Sequence, residues 1–430
     1  MINKYQSIRG MHDYLPKEIK HWNYVESIIK KILSSYGYHE IRLPIIEYTE
    51  LFYRTIGNDT DVIEKEMYSF KDRSKHNVTL RPEGTVGCAR ANINNGLLND
   101  QFQKLWYFGP MFRYERPQKG RYRQFYQMGL EVFGFKGPYI DIELILLISR
   151  CWKKLGIDKY LRLEINSIGS TKSREIYKKD LITFLENNQL LLDIDSKRRL
   201  YINPLRILDT KNKSIQLLLK KGPLLINYID KNSMIYFKNI CNFMLEMGIE
   251  YTINNNLIRG LDYYNDIVFE WKTNKLGTQD TICAGGRYDK LIETLGGPKT
   301  PAIGCAIGME RLILLIKEMS SSMMSCYIDI YLVVFNECNK LNIIKIGEIL
   351  HNSFPMFKII INYYNGSLKR QFQLANKYHS KVVLLLGPDE QEKNTIIIKD
   401  LRNKIQKEIL QFNLVKELSY LLSQKNCDYL

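Results

Sequence analysis

The chain of 430 residues has no run of about 18 apolar residues, so no helical membrane span is expected. Its opening stretch, MINKYQSIRGMHDYLPKEIK, lacks the apolar core of a secretion signal. None of its eight cysteines forms a CxxC pair, so neither a disulfide framework nor a zinc site is indicated. The six histidines, at 12, 21, 39, 76, 351 and 379, show no HxxxH spacing. These absences describe a reduced, cytoplasmic protein with no membrane contact and no structural metal. Acid is also in short supply: 46 Asp and Glu face 62 Lys and Arg, a net charge of +16. A basic surface attracts polyanions by releasing their counterions. The chain is equally rich in Lys, Asn, Ile and Tyr, the residues of AT-rich codons, so charge alone decides nothing.

Two or three domains are expected at this length. Trp22, Val25, Ile29, Ile32 and Tyr36 recur at helical spacing, which predicts an amphipathic helix over 17–36 stopped by Gly37. EIRLPIIE follows as an extended segment, with Pro44 confining it to a sheet edge or strand end. Strand-like runs recur at 78–81, 105–113, 124–134, 161–166, 266–271, 281–284 and 302–307. Many strands with few long helices, and no regular alternation, predict an α+β fold: a mainly antiparallel sheet flanked by helices. Residues 171 to about 255 read as a helical insertion in a first domain spanning 1–325. From 327 to 430 strands and helices alternate as a separate α/β domain, and MSSSMMSC at 319–326 reads as the linker.

The segment RYERPQKGRYRQF, 113–125, carries five cations, Arg113, Arg116, Lys119, Arg121 and Arg123, against Glu115 alone. It reads as a hairpin tip, with Arg113 on the strand and the other cations on the loop. In the strand that follows, Tyr126, Met128, Leu130 and Val132 share one face, suited to a core. Phe125, Gln127, Gly129 and Glu131 share the other: an aromatic, an amide, a gap and a carboxylate. That face reads as a polar-ended slot about 13 Å long. The cations suit a ligand with several negative charges, since arginine binds phosphate with a planar fork. A solvated basic turn and a half-solvated strand are the plain alternatives.

Further fragments add groups. TLRPEGT places Glu83 and Thr85 beside a Pro/Gly turn, suited to an ammonium. LIRGLDYYN offers Arg259, Tyr263 and Tyr264, and CAGGRYD offers Arg287 and Tyr288 after two glycines. PAIGCAIGMERLILLI reads as a strand entering a helix, with Arg311 in its first turn, where it opposes the helix dipole. A bound nucleotide explains that arginine better than helix stability does.

In this order the fragments resemble the class II aminoacyl-tRNA synthetases, and among them the histidyl-tRNA synthetase family. EIRLPIIE is similar to motif 1, the dimer-interface motif. MFRYERPQKGRYRQF through GLEVFG is similar to motif 2, and AIGMERLIL to motif 3. LIRGLDYYN and CAGGRYD match the two signatures peculiar to the histidine enzymes, and TLRPEGT and SLKRQF match as well. The resemblance runs from RGMHDYLP to the last domain, nearly the whole chain.

The resemblance implies an ATP-dependent ligase that forms histidyl-adenylate and passes histidine to its tRNA. Arg113 and Arg259 would bracket the α-phosphate as catalytic residues, and Arg121 would hold the γ-phosphate. Phe125 and Arg311 would sandwich the adenine, with Glu115 near its amino group. Glu83, Thr85 and Gln127 would take the α-ammonium of histidine; Glu131 and Tyr264 would take the imidazole, with Tyr263 and Tyr288 in the pocket. Arg116 and Gln118 would meet the 5′ end of the tRNA, and the last domain its anticodon. ATP with Mg2+, a homodimer and a cytoplasmic location are implied likewise, and the apolar stripe of residues 22–36 is a second hint of the dimer. Tyr126 stands where the family commonly has His, and Cys305 where a bulkier apolar residue is usual; both are expected to act in packing. The rival reading is the catalytically inactive, histidine-sensing paralogue, which typically lacks the last domain and degrades the LIRGLDYY signature. Here both are present.

Overall fold

The computed structural model describes residues 5–57, 60–99, 101–277, 279–319, 328–334, 340–363 and 366–423. All but the first residue of the expected linker at 319–326 lies outside them. The chain divides into two compact units, Met1–Ser322 and Met323–Leu430.

The first unit begins with helix α1 (Pro16–Ser35), strands β1 (His39–Glu40) and β2 (Ile46–Tyr48), and helix α2 (Thr49–Ile56). Next come β3 (Tyr68–Lys71), β4 (Asn77–Leu80), α3 (Thr85–Asn94), the long hairpin β5 (Gln103–Phe112) and β6 (Gln124–Phe133), α4 (Tyr139–Leu155) and β7 (Arg162–Ser167). Four helices follow: α5 (Thr171–Glu186), α6 (Ile194–Ile202), α7 (Lys213–Leu219) and α8 (Lys231–Glu246). The unit closes with β8 (Tyr251–Ile253), β9 (Asn265–Lys272), β10 (Thr281–Arg287), α9 (Leu291–Thr294), β11 (Ala302–Gly308) and α10 (Met309–Met319).

Eight strands form one sheet in the order β1-β5-β6-β11-β10-β9-β7-β8. Every pair from β5 to β7 is antiparallel, and only the edge strands β1 and β8 join in parallel. This is the mainly antiparallel, helix-flanked sheet that the strand pattern predicts. One face packs on helices through large side chains: Tyr126 meets Trp22 of α1, and Trp271 meets Trp152 of α4. Alternation therefore leaves Phe125, Gln127 and Glu131 on the other face.

Three expectations need correction. Arg113 lies one residue beyond β5, although its N–H still bonds the Arg123 carbonyl. Strand β10 runs on through Gly285 and Gly286 to Arg287. A Cβ on Gly285 would overlap the Gly304 carbonyl of β11, so these glycines let strands close rather than end one. The apolar stripe of α1, taken as a hint of dimerisation, is buried within its own chain: Trp22, Val25, Ile29 and Ile32 are at most 8% exposed.

The second unit holds β12 (Ile330–Val334), α11 (Lys340–Ser353), β13 (Ile359–Ile361), α12 (Leu368–Lys377), β14 (Val382–Leu386), α13 (Pro388–Glu392), β15 (Thr395–Asp400), β16 (Ile405–Leu410) and α14 (Leu414–Ser423). Its sheet runs β13-β12-β14-β15-β16, parallel in the first three strands and antiparallel in the rest. Leu350, Leu384, Ile396 and Leu418 are fully shielded in its core.

Candidate active site

The free face of the large sheet carries a cross-strand row in register: Tyr107, Gly129, Ala306, Ala284 and Glu270 on β5, β6, β11, β10 and β9. Three small residues stand between an aromatic and a carboxylate. Small side chains in mid-sheet leave room above the backbone, and a cavity of about 260 Å3 opens there. Its lining brings together Glu83, Thr85, Arg113, Glu115, Arg121, Phe125, Gln127, Arg259, Tyr263, Tyr264 and Arg311. These come from four separate stretches of sequence. The slot read from β6 needs one revision, because the gap at Gly129 is filled. The Tyr107 ring packs on Gly129 and Gly84 so closely that a Cβ at either would overlap it.

Two carboxylates are held below and beside the cavity. Glu83 accepts the N–H groups of Thr85 and Val86, at 2.7 and 2.8 Å, and so closes the start of α3. Burial nevertheless raises its pKa. Glu131 is 1% exposed and lies under the lining rather than in it. Its Oε1 accepts from Thr85 at 2.7 Å and Tyr107 at 3.1 Å, and its Oε2 accepts from Tyr288. Burial pushes its pKa up to about 8 in spite of these three hydroxyls. Tyr288, equally buried, stacks edge-on to Tyr263 and Tyr264 with centroids 5.6 and 6.2 Å apart. The three hydroxyls leave one position on Oε2 open, an acceptor when the carboxyl is ionised and a donor when it is protonated.

The cations are held by their own chain. Arg113 donates from Nε to the Pro82 carbonyl at 2.9 Å, and its guanidinium carbon lies 5.4 Å from the Phe125 ring. Arg121 pairs with Glu115 and reaches Glu66 at 3.7 Å. Arg259 pairs with Glu270 of β9, and its Nε is buried without a partner. Burial works against its charge, but the Glu270 carboxylate more than offsets this and raises its pKa. Arg311 donates to the carbonyls of Gly120 and Thr281, both at 2.9 Å, and to Gln279 at 2.7 Å. Burial, then repulsion from Arg121 and Arg113, lowers its pKa to about 10. Its conflict with the α10 dipole is thus met by three acceptors that clamp the hairpin loop to β10. Arg116 and Gln118 stand exposed at the tip, outside the cavity lining.

Sequence reasoning missed Tyr107, Glu270 and Glu310. Glu310 accepts the Tyr14 hydroxyl at 2.6 Å and the Tyr126 N–H at 2.8 Å, and burial raises its pKa to about 7. Each of the three is recruited by strand register or helix docking, which no local motif displays. Taken as chemistry, the cavity offers four arginines, two of them paired with carboxylates of the lining, together with Glu83 and tyrosine side chains. That suits a polyanion next to a small cation with polar ring edges.

A family model described as histidyl-tRNA synthetase matches residues 10–174 and 189–312. The histidine–tRNA ligase of Buchnera aphidicola subsp. Baizongia pistaciae is 53% identical over 414 residues, covering 96% of this chain and 97% of its own. That of Buchnera aphidicola subsp. Schizaphis graminum is 55% identical over 405 residues, covering 94% of each. The crystal structure of apo S. aureus histidyl-tRNA synthetase superposes with a TM-score of 0.80 at 31% identity, covering 96% of this chain and all of that one. Motif order, sheet topology and these likenesses over nearly the full length agree, and the chain belongs to the histidyl-tRNA synthetase family.

Proposed function

We propose that this chain is a histidine–tRNA ligase, forming histidyl-adenylate from histidine and ATP and then charging tRNA. The observation that carries this reading is the single cavity in which Arg113, Arg121, Arg259 and Arg311 face Glu83, Gln127 and Tyr264.

In the first step a histidine carboxylate oxygen attacks the α-phosphorus in line, and pyrophosphate leaves with the electron pair. Such a reaction needs positioning and charge neutralisation more than covalent help. Arg259, backed by Glu270, and Arg113, backed by the Pro82 carbonyl, are suited to hold α-phosphate oxygens. Arg121 would exchange Glu115 for the γ-phosphate, and Phe125 with Arg311 would enclose the adenine, with Glu115 then free for its amino group. Glu83, Thr85 and Gln127 would take the α-ammonium. The open position of Glu131 and the Tyr264 hydroxyl would take the imidazole, with Tyr263 and Tyr288 closing round the ring. A site that must hydrogen-bond its substrate rejects apolar competitors, which would strand its buried polar groups.

In the second step a hydroxyl of the tRNA terminal ribose attacks the adenylate carbonyl and AMP leaves. Arg116 and Gln118, exposed at the hairpin tip, are free to meet the end of the acceptor stem, and the second unit would read the anticodon. Magnesium fits as the counter-ion of the triphosphate, because Glu83, Glu115, Glu270 and Glu310 are each already hydrogen-bonded or ion-paired. Ile45, Ile46 and Tyr48, exposed around motif 1, support the homodimer reading. No described helix is long and apolar enough to cross a membrane, in keeping with a cytoplasmic location.

The test is amino-acid-dependent exchange of labelled pyrophosphate into ATP without tRNA. Exchange with histidine alone among the twenty amino acids is expected. Histidine binding without exchange would instead identify the regulatory paralogue.

A further inference from the structure

A second cavity, of about 240 Å3, adjoins the first and shares Arg259, Leu261 and Tyr264 with it. The rest of its lining comes chiefly from α5, with Arg174 and Lys178, and from the 203–206 turn, with Arg206. Four cations, counting Arg259, face two carboxylates, Glu175 and Asp262. Arg174 donates to the Gly169 carbonyl at 2.9 Å and Arg206 donates to the Gly260 carbonyl. Among the described residues neither takes part in a salt bridge. Burial lowers the pKa of both, so each guanidinium keeps its charge in a setting that disfavours it.

The Nε groups of Arg206 and Arg259 are both buried and both without a hydrogen-bond partner. Neither atom has surface open to the cavity, so what the two side chains offer an occupant is their charge and their remaining N–H groups. With Arg259 paired to Glu270, the lining sets Arg174, Lys178 and Arg206 against Glu175 and Asp262, one positive charge in excess that water would leave uncompensated. An oxyanion compensates it, and a guanidinium fork matches its geometry. A volume of about 240 Å3 admits a compact anion.

We propose that this cavity is a second anion site, taking inorganic phosphate or pyrophosphate, and that its occupant acts on the catalytic cavity through their shared wall. The second half rests on the reading of Arg259 as an α-phosphate ligand. Arg259 cannot be drawn toward an anion on one side without altering its hold on a phosphate on the other.

The experiment uses the full chain with the catalytic cavity saturated by histidine and an ATP analogue that cannot be cleaved between its α- and β-phosphates, so that the triphosphate positions are filled. Phosphate and pyrophosphate are titrated separately by calorimetry, with acetate as the singly charged control. One equivalent of either phosphate species per chain is expected, tighter than acetate, with Arg206→Gln and Lys178→Gln each weakening it at least fivefold. No binding to the filled enzyme, or binding that neither substitution changes, would mean an adventitious ion only and overturn the site. Lys178→Gln removes a half-buried charge at the cavity edge and keeps the test open should Arg206→Gln fail to fold. For the coupling, phosphate should inhibit histidine-dependent exchange noncompetitively toward ATP in the wild type and less in Lys178→Gln. Purely competitive inhibition would overturn it. Exchange by the wild type without phosphate tests the proposed function separately.

Discussion

Buried carboxylates in the two units behave in opposite ways. Asp400 in the second unit is 1% exposed, and burial alone would raise its pKa. The N–H groups of Arg402 and Asn403, at 2.8 and 3.2 Å, bring it below the usual range, and the carboxylate closes a turn. Glu131 in the first unit is as well shielded from solvent but lies far deeper in the protein; its partners are three hydroxyls and its pKa rises to about 8. Fixed backbone donors hold Asp400 charged, for structure. Burial outweighs the three hydroxyls at Glu131 and holds it close to neutral, with one position on Oε2 left open for a ligand.

The largest expected break in this contrast comes from Arg259→Ala. If Arg259 stabilises the α-phosphate in the transition state, exchange should fall by about 10²–10³-fold or more. Glu270 would keep Lys272 at 3.1 Å, so the fold should survive. Histidine affinity, measured by calorimetry, should change by no more than a few-fold. Full retention of exchange would remove Arg259 from the catalytic role. Glu131→Gln comes next: KM for histidine should rise roughly 5–100-fold, the order of leaving one buried hydrogen-bonding group unsatisfied. KM for ATP should hardly move, and an unchanged histidine KM would argue against the imidazole contact.

The same substitution has a pH signature. Burial raises the Glu131 pKa from 4.5 to about 8, so the folded chain keeps a proton that the unfolded chain loses above 4.5. The stability this contributes is complete below about 4.5 and lost as pH rises toward 8. The wild-type Tm should therefore fall between pH 5 and 8.5 more steeply than that of Glu131→Gln. Glu310 and Asp141, pushed by burial to about 7 and 6, add the same trend to both proteins. Parallel profiles would show that Glu131 is charged throughout this range.

How much of this was legible in the sequence depends on how each residue is brought in. Phe125, Gln127 and Glu131 were readable because a strand has a period of two and the opposite face was apolar. The α1 helix and its stop at Gly37 followed from local spacing, and Gly37 takes a positive φ of 75°. Tyr107 was hidden inside the apolar run LWYFGPMF, and only the register Tyr107↔Gly129 places its ring over the gap. The Glu270 partnership with Arg259 spans a loop and a strand and has no motif. The pairing of the tip cations with Glu66 and Glu318 was equally invisible, since those acids lie far away in the chain.

In the second unit, Gln371→Leu asks whether a polar group buried for structure can fail without touching the chemistry. Gln371 bonds both the N–H and the carbonyl of Val334, at 3.2 and 2.8 Å, and the Gly366 carbonyl at 3.0 Å. Leucine would leave these groups unpaired, at about 1–3 kcal/mol each. The melting transition of that unit should drop by several degrees. Pyrophosphate exchange should be unchanged, since no described residue of this unit lines the cavity. A matching loss of exchange would mean that the two units are coupled.

The smallest effect is expected at the hairpin tip, where five cations in thirteen positions raise the question of mutual repulsion. The structure answers much of it with pairs: Arg121 with Glu115 and Glu66, Lys119 with Glu318, and Arg123 stacked 3.8 Å from the Tyr114 ring. The Lys119 side chain is 65% exposed, and an ion pair so open to water contributes less than about 1 kcal/mol. Lys119→Gln should therefore leave Tm within about a degree or two, while weakening tRNA binding slightly and reducing its salt dependence. A clear loss of stability would make this pair a structural clamp. An unchanged salt slope would take Lys119 out of the tRNA surface and leave the tip to Arg116 and its neighbours.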